Sequence, residues 1–159
     1  MTISRIILTA CCLTTVTAFA QRLELPAKSP GAKVTQTVGL TDITIEYSSP
    51  AVKGRKIWGG LVPLDTVWRA GANAATKITF SKPVTIDKTE VPAGSYGIYA
   101  IPGAKEWTLI LNKELTNTDN YKKDTDLLRL TVKPAAIPLR ERLANQITNF
   151  TDDAASIDL

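Results

Sequence analysis

The sequence contains no histidine. That absence removes Ser-His-Asp triads, imidazole acid–base chemistry and His-based zinc sites. Its two cysteines, Cys11 and Cys12, sit side by side in the first apolar run. Neither a P-loop nor a Gly-x-Gly-x-x-Gly fingerprint occurs. Long hydrophobic runs are equally scarce. The longest, Ile6 to Phe19, falls short of the roughly 20 apolar residues that a membrane-spanning helix needs, so no transmembrane segment is expected. A dominant charge is missing too: 19 basic residues face 15 acidic ones, a formal net charge of +4. The two signs are interspersed, as in Lys122-Lys123-Asp124-Thr125-Asp126, without the clustered basic face of a nucleic-acid binder. These absences lead us to expect no cofactor, no metal and no nucleic-acid partner.

The N-terminus carries a recognisable pattern. Met1-Thr2-Ile3-Ser4-Arg5 supplies one positive charge, the apolar run follows, and Ala18-Phe19-Ala20 gives a small-x-small end before Gln21-Arg22. That order is a secretory signal peptide over residues 1–20, with cleavage after Ala20 and export to the periplasm or the medium. Leu8-Thr9-Ala10-Cys11 resembles a lipobox, but an apolar continuation from Cys12 to Val16 follows it rather than a polar tether, which disfavours a lipidated Cys11. Cleavage after Ala20 removes both cysteines, so neither a disulfide nor a thiol nucleophile is expected in the mature chain. The remaining length suits one domain with a core sufficient to hold it.

After an extended lead-in over residues 21–33, short alternating runs begin. Val34–Val38 precedes Gly39, and Ile43, Ile45 and Tyr47 alternate with Thr44 and Glu46. Similar runs contain Ile78 and Phe80, Val84 and Ile86, Trp107 with Leu109 and Leu111, and Leu128 with Leu130 and Val132. Period two with one apolar face is the signature of a half-buried strand. Tyr96–Ile101 is apolar on both faces and reads as a central strand. Residues 146–150 and 155–159 add two more runs. The pattern predicts an all-β antiparallel β-sandwich, jelly-roll-like or Ig-like, of about eight or nine short strands. Helix is expected only as single turns near 64–68 or 120–126.

Residues 48–76 break the pattern. They are rich in Gly, Pro, Arg and Ala, and hold two of the three tryptophans. An irregular stretch of that length inside a compact domain is often functional.

The phrases Ser-Pro-x-Val-Lys-Gly-Arg (49–55), Leu-Val-Pro (61–63), Val-Trp-Arg-x-Gly-Ala-Asn-x-Ala-Thr (67–76), Pro-Ala-Gly-x-Tyr (92–96), Glu-Trp-Thr (106–108), Leu-Asn-Lys (111–113) and Asp-x-Leu-Arg (126–129) run through the chain. In these phrases, over roughly residues 40–159, the sequence resembles DUF2911, a family of exported bacterial domains of unknown function. The resemblance implies export and a single domain, and it brings no activity and no catalytic residues. Leu64 stands where the family usually has an aromatic, and Ala74 where it often has an acid. The chain also ends inside its last alternating run, where family members tend to continue into a further strand.

The candidate site residues are Arg55, Trp58, Trp68, Arg69 and Asn73. Arginine offers a planar fork of donors for carboxylate or phosphate, tryptophan a flat stacking face, and asparagine both a donor and an acceptor. Together they suit a small polar ligand, a glycan or a partner protein. A purely structural reading competes with this one. In it the tryptophans plug the ends of the sandwich, Arg69 forms a buried ion pair with Asp126 or Glu46, Gly71 supplies a positive φ, and Asn73 satisfies loop backbone. A hydrolase working through two carboxylates about 5–10 Å apart is the alternative, with Asp65, Glu90 and Asp126 as candidates. Calcium ligands are present on paper in Asp119, Asp124 and Asp126, or in Asp152 and Asp153. These lie in turn-rich segments, where aspartate is favoured for local backbone bonding in any case.

Overall fold

The computed structural model describes residues 25–159, so the expected signal peptide over 1–20, Cys11 and the start of the expected lead-in lie outside the described residues. Among the described residues there are ten strands: β1 (Gly31–Val38), β2 (Thr41–Ser48), β3 (Thr76–Phe80), β4 (Val84–Ile86), β5 (Thr89–Val91), β6 (Gly94–Pro102), β7 (Trp107–Asn112), β8 (Asp126–Val132), β9 (Gln146–Thr148) and β10 (Ser156–Asp158). Helix among the described residues is limited to two 3₁₀ turns, Thr118–Asn120 and Lys123–Thr125. Among the described residues no helix is long and apolar enough to cross a membrane. The fold is all-β and antiparallel. The strand count exceeds the expected eight or nine, and β1 starts inside the expected lead-in, at Gly31.

Six strands form one sheet in the order β1-β2-β3-β6-β7-β8. The other four make two hairpins, β4-β5 and β9-β10. β6, apolar on both faces, lies between β3 and β7, which is the central place its composition calls for.

Register explains the core. Ile43 pairs with Phe80, Ile45 with Ile78 and Ile78 with Tyr96. Farther across, Ile98 pairs with Leu111 and Leu111 with Leu128. Directly paired residues share a face, so this register gathers the apolar members of five strands on one side. Val91 from β5 and Ile147 from β9 join the same cluster, with Val84, Ile86 and Ala155 packed against it. The two hairpins therefore roof the apolar face of the large sheet. The opposite face over β1, β2 and β3 is polar. Thr35 and Thr44 share a hydroxyl contact at 3.0 Å, Thr79 and Ser95 another at 2.8 Å, and Lys77 pairs with Glu46 at 2.5 Å.

Turn chemistry fits these connections. Gly39 takes a φ of 57° between β1 and β2, and Asp87 and Lys88 take φ values of 43° and 70° between β4 and β5. Two successive positive φ angles define the tightest hairpin connection, whose twist matches that of the strands.

Candidate functional site

The long loop after β2 is held by its own backbone and by the sheet. Lys53 and Gly54, at φ 49° and 66°, make a tight turn closed by the Arg55 N–H on the Val52 carbonyl at 3.1 Å. A second turn follows, in which the Gly60 and Val62 N–H groups both donate to the Ile57 carbonyl, at 3.2 and 2.9 Å. Gly60 is needed here for space, since a Cβ would collide with the Lys56 carbonyl. This turn presents Trp58. The chain then returns to the sheet. The Asp65 N–H donates to the Pro102 carbonyl at 2.8 Å, and Trp68 exchanges two hydrogen bonds with Ala100, at 2.7 and 2.8 Å. β3 begins only at Thr76, opposite Ile98. The loop thus takes over the pairing of β6 where β3 has not yet started, which satisfies backbone groups that burial would otherwise orphan.

These constraints bring all three tryptophans together. Trp58 meets Trp68 with ring centroids 5.3 Å apart at 75°, and Trp107, the first residue of β7, with centroids 4.6 Å apart at 70°. Both are edge-to-face contacts of the favourable kind. Trp68 is anchored further by its indole N–H on the Gly71 carbonyl at 3.1 Å. Trp58 keeps 42% of its surface exposed, beside Leu61 at 55% and Leu64 at 37%.

The remaining candidates do not join this cluster through any hydrogen bond. Arg55 folds back on its own turn, with Nε on the Val52 carbonyl at 3.0 Å and Nη2 on the Ala51 carbonyl at 2.6 Å. Asn73 donates to the Ser29 carbonyl and the Ser48 hydroxyl, at 3.3 and 3.2 Å, and so ties the loop to β2. Arg69 makes neither of the ion pairs expected of it. Glu46 is taken by Lys77, whose hydrogen bond holds the glutamate below its usual pKa, and Asp126 is taken by Arg129. The buried Arg69 Nε has no protein partner among the described residues. Gly71 also departs from expectation. The positive φ angles of this segment belong to Ala70, at 51°, and Asn73, at 57°. Gly71 supplies room instead, since a Cβ there would stand 2.9 Å from Thr76 Oγ1.

A second polar cluster escaped the sequence reading. Asn112, buried at the end of β7, donates to Asp126 Oδ1 at 2.7 Å. The Tyr121 hydroxyl donates to the same carboxylate at 2.6 and 2.8 Å, and Arg129 Nη1 reaches it at 2.5 Å. Burial and the hydrogen bond to Asp126 push the Tyr121 phenol up to about 12. The signals available were the phrases Leu-Asn-Lys and Asp-x-Leu-Arg, which contain Asn112, Asp126 and Arg129. A carboxylate carrying this many donors is a structural junction rather than a free general base. Neither Asp65 nor Glu90 is among its partners. Among the described residues no group of three potential metal ligands gathers. Two open grooves among the described residues, about 410 and 350 Å³, are lined by neither the tryptophans nor Arg69.

A family model described as "Protein of unknown function (DUF2911)" matches residues 29–159. No curated protein and no solved structure matches the chain.

Proposed function

The chain belongs to the DUF2911 family, and we propose that it is an exported, non-enzymatic binding module that takes its ligand on the tryptophan cluster of the 50–76 loop. The observation that carries this reading is Trp58, braced edge-to-face by Trp68 and Trp107 yet 42% exposed. An exposed aromatic held rigid by two others has lost its side-chain freedom before any ligand arrives, which lowers the cost of binding. Its complement is a ligand with a flat, weakly polar face, and a sugar ring in a glycan meets that description. Recognition of a small anion has less support, because the donors of Arg55 are spent on its own turn.

Exposed Leu61 and Leu64 beside Trp58 favour a second reading, a partner protein docking on the same surface. Titrating the mature protein with a panel of soluble oligosaccharides, read by tryptophan fluorescence, tests the first. Binding that Trp58→Ala weakens at least about tenfold, with the circular dichroism unchanged, is the expected result. No glycan response across the panel, or one indifferent to Trp58→Ala, removes the glycan reading.

A further inference from the structure

β7 and β8 are antiparallel neighbours, which a tight hairpin turn would suffice to join. Residues 113–125 instead make a detour back across the sheet. The Glu114 carbonyl lies directly over Gly97 of β6, where a Cβ would stand 2.8 Å from it and 2.7 Å from Tyr99 Cε2. Farther along, the Tyr99 hydroxyl donates to the Thr116 carbonyl at 2.5 Å and accepts the Thr116 N–H at 3.1 Å. Asn112 holds both ends of the detour. Its Nδ2 donates to the Lys122 carbonyl at 2.9 Å, while its Oδ1 accepts the Glu114 N–H at 2.7 Å and the Thr125 hydroxyl at 3.0 Å.

What fastens this strap is mostly polar, with one aromatic contact, Tyr121 on Tyr99 with ring centroids 5.2 Å apart. No residue from Lys113 to Thr125 is buried, whereas Tyr99 beneath it has no exposed surface. Regions that combine few buried apolar contacts with backbone near solvent open at lower free energy than the strands they cover. We propose that residues 113–125 form a latched strap that opens as one unit while the six-stranded sheet stays folded, baring Gly97 and Tyr99. Asn112 and Tyr99 latch its ends, and Tyr121, whose hydroxyl is bonded to Asp126 and Arg129, is a third fastening toward β8. The strap tip also supplies Leu115 to the groove of about 350 Å³ that Glu46, Ser48 and Lys77 line, so opening widens that groove toward β6. The surface bared is separate from the tryptophan cluster, because Tyr99 and Ala100 are consecutive in a strand and point to opposite faces.

Hydrogen exchange on the mature chain, followed by mass spectrometry, tests the strap. Its amides, that of Thr116 included, should exchange well ahead of those in β6 and β7. Tyr99→Phe, which removes both hydroxyl links without changing the ring, should speed strap exchange about tenfold and leave β6 and β7 unaffected. Gly97→Ala should do the same by forcing the Glu114 carbonyl away. Tryptophan fluorescence, which reports the cluster on the other face, should not change in either variant. Should Gly97→Ala fail to fold, Tyr99→Phe alone decides. A strap that exchanges only together with β6 and β7, or a Tyr99→Phe effect spread evenly over the chain, overturns the proposal.

Discussion

Asp126 and Arg129 are three residues apart on β8, and in a regular strand an odd separation puts two side chains on opposite faces. They nevertheless meet, because the register slips there: Leu111 pairs with Leu128, but Asn112 pairs with Asp126, leaving Leu127 as the extra residue of a bulge. The bulge turns Asp126 to the side of Arg129, where Tyr121 joins them. This is why Asp126 was legible as a candidate acid but not as the centre of a junction, and why the basic partner assigned to it was the wrong arginine. Periodicity describes regular strands, and a bulge is where periodicity fails. The junction also has a pH signature. The Tyr121 phenol titrates at about 12 in the folded protein against an ordinary 10.0, so folding favours the protonated form. Its contribution to stability is complete below pH 10 and is lost as the pH rises from there through 12. Urea unfolding of wild type and Tyr121→Phe across that range checks this. The difference in unfolding free energy between the two should shrink with rising pH, and a constant difference would show that the phenol is not perturbed by folding.

At the scale of elements, the alternating runs from Val34 to Val132 were readable because each shows one face to the core, and composition alone placed β6 at the centre. The 48–76 segment was readable only as an exception. Nothing in its residues announces that Trp68 would pair with Ala100 and stand in for a strand, since that depends on where β3 begins. The five candidate residues accordingly divide. Trp58 and Trp68 converge, whereas Arg55 and Asn73 turn to loop and β2 atoms and the buried Arg69 Nε has no partner among the described residues. The pairing also predicts that the two tryptophans differ in weight. Trp68 is backbone-paired to Ala100 of β6, packs against Trp58, and has its indole N–H bonded to the Gly71 carbonyl. Trp68→Ala should cost about 3 kcal/mol, and the half-exposed Trp58→Ala about 1 kcal/mol or less. Urea denaturation followed by circular dichroism separates the two. Equal losses would mean that Trp58 is a packing residue and would weaken its assignment as a contact surface.

For the molecule as a whole, the notable feature is an open sheet. The order β1-β2-β3-β6-β7-β8 does not close, so β1 and β8 each turn one rim of backbone outward, and among the described residues no strand pairs with either rim. Such rims template pairing with another chain unless charge, proline or a bulge spoils them. β1 carries Lys33 and follows Pro30. β8 has the bulge at its start, Arg129 in the middle and Lys133-Pro134 immediately after its end. Between Arg129 and that end, Leu130, Thr131 and Val132 form the least protected stretch. Thr131 is exposed and pairs with Thr108 on the inner side, so its side chain can change without disturbing the apolar face. Thr131→Lys should therefore leave the unfolding free energy within about 0.5 kcal/mol of wild type while delaying aggregation on heating. Light scattering during a thermal ramp, compared with urea unfolding of the same samples, checks both halves. The control is Thr35→Lys on β1, two residues from Lys33, which should change aggregation less because that rim already carries a charge. If the two variants protect equally, the rims contribute alike; if neither protects, the sheet edges do not nucleate assembly and the exposed Trp58, Leu61 and Leu64 surface becomes the place to introduce the charge.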